Sequence, residues 1–450
     1  MPAPELLDAV RRLVEAQLGL HYPQERLDDL ERGLRSAARE LGFESVKEYA
    51  TELVRGGTGM AQIDSLAAHL TIGETYFYRD PKAFEALGQK ILPAIIQERQ
   101  GGAKRLRIWS AGCCTGEEPY SIAMVLRRVI PDIDDWQVTI LATDINPKFL
   151  HKAAEGVYGQ WSFRGVPDSV KETSFHKLPD GHFEILPAIR KMVTFGCLNL
   201  AEDVYPSLAT NTNAMDIIFC RNVLIYFSPG QLRKVVAALH RSLCDGGWLF
   251  VSAAEASQQA FGEFSPAEFE GTAVYRKSPP RPREKTEVRA SLPISSITPV
   301  RLRAAPPAPI PKTERPAIAM AHPAIEARRL ANEGRLGEAL IVCDQAIKAE
   351  KVVASHYYLR GAILQEQDAM DEAITALRQA LYLDHSFVVA HFALGNSMLR
   401  QGRNSDARRC FANARSLLEN YAPEAELPES DGITAGRLLE ILASMQEVAA

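Results

Sequence analysis

The sequence predicts an α/β protein in three parts: a helical N-terminal domain, a doubly wound and largely parallel sheet, and a C-terminal all-α repeat array. Three observations predict it. Short apolar runs alternate with amphipathic helical stretches between residues 105 and 277, the pattern of strand–helix units that build a parallel sheet. Residues 106–120 read as an apolar strand that breaks into a turn at Gly112 and Gly116 and then opens a helix on Glu117, Glu118 and Pro119. Beyond residue 320, small and bulky residues recur at 34-residue spacing, the period of a helix–turn–helix repeat.

The first domain, residues 1–85, is helical because Leu27, Leu30, Leu34 and Ala38 share one helix face, and because the turn Arg55-Gly-Gly-Thr-Gly follows a second helix. The second spans 86–277. Its strands are expected at 105–111, 137–143, 192–196, 215–220, 247–252 and 272–277, with helices at 117–130, 147–154 and 229–244 between several of them. Residues 159–191 break that rhythm and are too long for a plain loop, so they form an inserted subdomain of small pieces. Residues 278–320, rich in Pro, Arg and Ser, lack the apolar surface to fold and are expected to be a Pro-rich flexible linker. The array, 321–450, follows. Ala339, Ala373 and Ala407 keep the 34-residue period, as do Ala327, Gly361 and Gly395, and the bulky Cys343, Leu377 and Phe411. Small residues let paired helices approach while the large ones fill between them, which matches the tetratricopeptide (TPR) repeat. Three repeats and a capping helix over 431–448 are expected.

A chain of 450 residues with 46% hydrophobic and 24% charged residues is globular and suits about three domains at roughly 150 residues each. Its net charge of −5 gives no support to nucleic-acid binding. The first twenty residues mix acids with Arg11 and Arg12 and lack an apolar core. No apolar run approaches the roughly 18 residues of a membrane span. A cytoplasmic protein is expected, one that meets membranes only through a partner and does not insert directly. The seven cysteines form no CxxC, and no histidine sits in HExxH, so neither a disulfide framework nor a metal site is expected. The pair Cys113-Cys114 reads as small residues filling a tight turn.

Four segments carry chemistry. The Gly112/Gly116 turn lets a ligand approach the backbone. A diphosphate would meet two carboxylates at the helix start, whereas a ligand with positive charge and ribose hydroxyls would be welcome, which favours S-adenosylmethionine over NAD. Asp144 ends a strand where an acid commonly binds ribose hydroxyls; a helix cap before Asn146-Pro147 is the other reading. Asn199 and Leu200 follow the next strand and would address an adenine edge and face. Arg221-Asn222 ends the apolar strand in DIIFCRNVLIYF, where open sheets place their ligand crevice. Outside the sheet, LTIGETYFYRD sets three aromatics beside Arg79.

Taken in order, LTIGETYFYRD, IWSAGCCTGEEPYSIAM, ATDIN, NL and FCRNVLIYF closely resemble the CheR family of chemoreceptor glutamate methyltransferases over residues 1–277. The resemblance implies a Rossmann-like S-adenosylmethionine-dependent methyltransferase fold with an inserted β-subdomain. With the TPR array, the layout resembles members that serve a surface-sensing pathway. It implies a cofactor site of Gly73, Thr75, Arg79, Glu118, Asp144, Asn199, Leu200, Arg221 and Asn222, to which the turn after the first strand adds Gly112. Arg79 and Tyr226 would assist transfer, and S-adenosylhomocysteine is the product. Gly73 stands where some relatives carry a polar side chain, so only its backbone would contribute. The implied partners are the cytoplasmic methylation helices of a chemoreceptor. The TPR groove would take a protein or peptide that localises the enzyme to membrane-bound receptor arrays or regulates it, and packing against the chain's own catalytic domain is equally permitted. Arg32, Arg35 and Arg39 share one helix side that would face an acidic receptor, although Asp28, Asp29, Glu31 and Glu40 make a solvated mixed face equally consistent. The hairpin region LPDGHFEILPAIRKMVTF is short beside members that tether a receptor peptide, so no tether is expected. The chief alternative is a TPR scaffold that binds S-adenosylmethionine without transfer. An NAD enzyme lacks its GxGxxG, and a nucleic-acid methyltransferase lacks Asn-Pro-Pro-Tyr and Pro-Cys segments.

Overall fold

A computed structural model describes residues 3–56, 60–99, 104–256, 259–278, 323–423, 425–430 and 432–448. The expected linker, 278–320, falls almost wholly outside these residues. Helices α1 (Pro4–Leu18), α2 (Leu27–Glu40), α3 (Val46–Arg55) and α4 (Met60–Leu70) form the N-terminal unit around Val14, Leu30, Leu34, Leu53 and Leu66. Ser45 starts α3 by accepting from the Glu48 amide at 3.1 Å, a side-chain cap that satisfies an otherwise orphaned donor. Helices α5 (Pro81–Ala86) and α6 (Leu92–Arg99) lead through a π turn into the sheet domain.

The sheet domain runs β1 (Arg105–Ala111), α7 (Glu117–Val129), β2 (Gln137–Asp144), α8 (Pro147–Glu155), β3 (Val157–Tyr158), α9 (Asp168–Ser174), β4 (Phe175–Lys177), β5 (Phe183–Ile185), α10 (Pro187–Arg190), β6 (Val193–Cys197), β7 (Met215–Phe219), α11 (Pro229–Ser242), β8 (Leu243–Val251), β9 (Phe264–Ala267) and β10 (Ala273–Lys277). Seven strands pair in the order β6-β2-β1-β7-β8-β10-β9. The first five are parallel, and β10 and β9 pair antiparallel at the edge. Because side chains alternate along a strand, Leu106 and Ile108 enter one core layer with Ile217 and Phe219, while Trp109 enters the other with Met215 and Ile218. Strand β9 was not expected. It carries Pro266 and sits on the sheet edge, where a residue without an amide proton is tolerated.

Strands β3, β5 and β4 form a separate three-stranded antiparallel sheet. Phe77, Tyr158, Phe163 and Phe175 pack edge-on or stacked beneath it. Its outer strands are two and three residues long, a small edge for an added strand.

The array comprises α12 (Pro323–Asn332), α13 (Leu336–Ala349), α14 (Ala354–Glu366), α15 (Met370–Leu383), α16 (Val388–Arg400), α17 (Asn404–Leu418) and the closing α18 (Ala435–Val448). The helix pairs show why the period needs small residues. A Cβ on Gly361 would lie 2.6 Å from Leu377, and one on Gly395 would lie 2.3 Å from Phe411. The array rests directly on the sheet domain: Glu366 of α14 pairs with Arg105 and Arg107 of β1.

Candidate functional site

The chain passes from β1 to β2 and β6 on one side and to β7 and β8 on the other. The reversal between β1 and β7 opens a crevice beyond their carboxyl ends. A cleft of about 990 Å³, open mouth included, lies there. Thr75, Arg79, Gly112, Glu118, Asp144, Asn199, Leu200, Arg221, Asn222 and Tyr226 all line it. Gly73 does not, although its neighbours Ile72 and Glu74 do. A Cβ at Gly73 would strike the Phe149 ring at 2.7 Å, so this glycine serves packing.

The loop after β1 is built by backbone geometry. Gly112 adopts φ +82°, a region closed to most side chains. A Cβ there would fall 2.3 Å from Val223 of the loop after β7. Gly112 therefore lets the two loops meet, a purpose distinct from the ligand approach expected from sequence. Asp144 joins the loops on the other side: Oδ2 accepts from the Cys114 amide at 2.8 Å and Oδ1 from the Asn146 amide at 2.9 Å. The α8 cap is Asn146, whose Oδ1 accepts from Lys148, so the capping reading of Asp144 does not hold.

Glu118 and Arg221 form the charged wall. Glu118 Oε1 accepts from the Ser110 hydroxyl at 2.8 Å, and Oε2 faces Arg221 Nη1 at 3.2 Å. Arg221 also reaches Asp80 Oδ2 at 3.1 Å and the Arg79 carbonyl at 2.9 Å. Its Nε is buried with no partner among the described atoms. Burial pushes the Glu118 carboxyl up despite Arg221, and pushes Asp144 up despite its amide donors. Two carboxylates therefore share one guanidinium, and Asp144 adds a third acid. Glu117, which sequence reasoning set beside Glu118, turns away onto Thr115 and Ser162 at 2.6 and 2.9 Å. Burial pushes the Cys114 thiol up to about 12, so it stays protonated and unreactive near neutrality.

Arg79 lies between two residues with positive φ, Tyr78 (56°) and Asp80 (66°), each costing roughly 1–2 kcal/mol. The Ser121 hydroxyl holds the Tyr78 amide at 3.0 Å, and Arg221 holds Asp80. The Arg79 guanidinium bonds the Glu74 carbonyl and acts electrostatically on both Glu118 and Tyr226. Tyr226 sits in the turn Leu224–Tyr226, its ring against the N-terminal helices and its carbonyl accepting from His21 at 2.7 Å. Burial raises the Tyr226 phenol, against Arg26 and Arg79, so it is a hydrogen-bond donor near neutral pH.

Asn199 is differently placed than its adenine reading requires. Its amide nitrogen donates to the Gln17 carbonyl at 2.7 Å and to Glu202 at 3.3 Å, and its oxygen accepts from the Ala201 amide at 2.9 Å. It retains an oxygen lone pair for a ligand. Leu200 lines the cleft together with the apolar Leu18, Leu20, Leu198, Val223 and Phe227. Sequence reasoning missed the contribution of α1 and the chain after it, and it missed Glu255. That buried carboxylate accepts from the amides of Asn222, Val223 and Leu224 at 2.7–2.8 Å and from Ser252. Among the described residues, no group of three or more His, Cys, Asp or Glu is placed to hold a metal ion. No described helix is long and apolar enough to cross a membrane.

The family described as CheR methyltransferase, SAM binding domain, matches residues 73–271. A probable biofilm formation methyltransferase, WspC, of Pseudomonas aeruginosa is 29% identical over 423 residues, covering 89% of this chain and 96% of that protein. A chemotaxis protein methyltransferase of Borreliella burgdorferi is 32% identical over 251 residues, covering 55% of this chain and 87% of its own length. Among solved structures, the TPR2B-domain:pHsp70 complex of yeast Sti1 aligns with 28% of this chain and 97% of that one, at 19% identity and a TM-score of 0.24.

Proposed function

The chain belongs to the CheR family of S-adenosylmethionine-dependent methyltransferases related to chemotaxis and biofilm formation, and from that premise we propose that it methylates glutamate side chains on the cytoplasmic helices of a chemoreceptor. The observation that carries this reading is the pairing, in one cleft, of the acids Glu118 and Asp144 with two hydrogen-bond donors, Arg79 and Tyr226. Glu118 and Asp144 suit a cationic donor, and Leu200 and its apolar neighbours suit adenine.

The bound cofactor supplies an activated methyl group on a sulfonium. A free glutamate has a pKa of about 4.3 and is already an anion at neutral pH. No group in the cleft needs to remove a proton. Arg79 would orient the acceptor carboxylate through charge-assisted hydrogen bonds, and the Tyr226 hydroxyl would direct its second oxygen. Transfer would exchange the sulfonium's C–S bond for a C–O bond to the acceptor carboxylate, so that a cation and an anion would give a thioether and an ester. The protein's part is alignment and exclusion of water. Recruitment to membrane-bound receptor arrays through the TPR domain belongs to the same proposal.

Incubation with methyl-labelled cofactor and a receptor cytoplasmic fragment tests this. Treatment with base should release labelled methanol from the receptor. Binding of S-adenosylhomocysteine with no labelled receptor would support a cofactor-binding scaffold, and a base-stable label would mean a different acceptor.

The acids also predict a pH dependence. Glu118 and Asp144 carry raised pKa values, and a cationic ligand favours their ionised forms. Affinity for S-adenosylmethionine should rise as pH increases through the upper carboxylate range and level off once both are ionised. The same acids make the ligand-free fold lose stability over that window, because they ionise more readily when unfolded. Calorimetric titration from pH 5 to 8 reads this, and a flat profile would remove the charge role of the pair.

A further inference from the structure

The repeat array does more than sit beside the sheet. Arg107 of β1 is 3% exposed, and a buried guanidinium requires an anionic partner. That partner comes from the array. Glu366 Oε2 accepts from Arg107 Nη1 at 2.6 Å and from Arg105 Nη2 at 2.7 Å. Arg107 Nη2 also donates to the Asn211 carbonyl at 3.0 Å, so one side chain ties α14 to the segment between β6 and β7. Leu208 of that segment packs into the cluster of α12, α13 and α14, and Ala209 into the cluster that α18 completes.

The same segment runs into the cofactor cleft. Tyr205 donates its hydroxyl to the Leu200 carbonyl at 2.8 Å, and its ring packs edge-on against Trp109 at 5.4 Å. At the other end of the array, Arg437 of α18 reaches Cys197 Sγ at 3.1 Å, two residues before Asn199. Helices α12, α13, α14 and α18 thus meet the enzyme's own chain at and after β6.

We propose that the TPR array braces the cofactor site: by holding residues 203–213 it fixes the strand exit that carries Asn199 and Leu200, so that freeing this segment weakens cofactor binding. The coupling is reciprocal. A protein partner that displaces the segment from the array would lower cofactor affinity, and bound cofactor would resist that partner.

This rests on the cofactor reading of the cleft, and the experiment separates the two. The full chain is titrated with S-adenosylhomocysteine by calorimetry, and amide exchange is followed over residues 197–214. Glu366→Ala should raise Kd about fivefold or more and speed that exchange. Arg437→Ala, a milder change, should act in the same direction. Glu326→Ala, on an exposed pair with Arg329, should leave both measurements as in the unaltered chain. Added S-adenosylhomocysteine should slow exchange in α14 and α18. Faster exchange with Kd unchanged within twofold in both variants would overturn the brace, and so would unchanged exchange. Absence of binding by the unaltered chain would take down the cofactor reading and the brace with it.

Discussion

Replacing Arg79 by alanine should lower the rate of methyl transfer by about 100-fold or more while changing the Kd of S-adenosylhomocysteine by only a few-fold. The asymmetry follows from where the side chain stands. Its backbone is fixed by Ser121 and Arg221 through the neighbouring Tyr78 and Asp80, so truncation leaves the loop intact. What would be lost is the guanidinium proposed to orient the incoming anion, with about 3 kcal/mol of alignment in the transition state. Arg79→Lys keeps the charge but not the planar fork and should recover only part of the rate. Steady-state kinetics on a receptor fragment, beside calorimetry of product binding, reads the split. A parallel loss of cofactor affinity would make Arg79 a binding residue and leave orientation to Tyr226.

The sheet was legible because its strands announce themselves as apolar runs that end on polar residues: Ala111 before Gly112, Thr143 before Asp144, and Cys220 before Arg221. In a doubly wound sheet those ends are the ligand edge, so the residues just past each run were found together. The array was legible for a similar reason, since Gly361 against Leu377 and Gly395 against Phe411 repeat one packing solution. What escaped was non-local. The closure of Asn199 on the Gln17 carbonyl joins residues 182 apart in the chain. Arg105 and Arg107 alternate with Leu106 and Ile108, an unusual charge load for a central parallel strand. That signal stood in the sequence, yet the anion that both arginines meet, Glu366, comes from a distant domain. Strand β9 carried no readable pattern because Pro266 argues against any strand that is not an edge.

Glu255 yields the second large effect, and its role could not be guessed from the segment AAEASQQ. Its two carboxylate oxygens take three consecutive amides of the β7 exit loop, the Ser252 amide and the Ser252 hydroxyl, all within 2.9 Å. Asn222 in that loop has φ +59°, a conformation that needs outside support. The loop brings Asn222 and Val223 to the cleft and sets the turn that carries Tyr226. Glu255→Gln keeps the shape but offers an amide NH₂ where an acceptor is needed. Hydrogen bonds to a charged group contribute roughly 1.5–3 kcal/mol, and an unsatisfied buried donor costs a comparable amount. The Kd of S-adenosylhomocysteine should therefore rise about tenfold or more, and the transfer rate should fall further because Tyr226 loses its placement as well. Glu255→Asp retains the charge and should restore part of both. A thermal melt of each variant separates this from unfolding, since the assays are run well below the transition. Normal cofactor affinity in a folded Glu255→Gln protein would mean that the loop is held by its contacts with Gly112 and the N-terminal helices, and that Glu255 only fills its site.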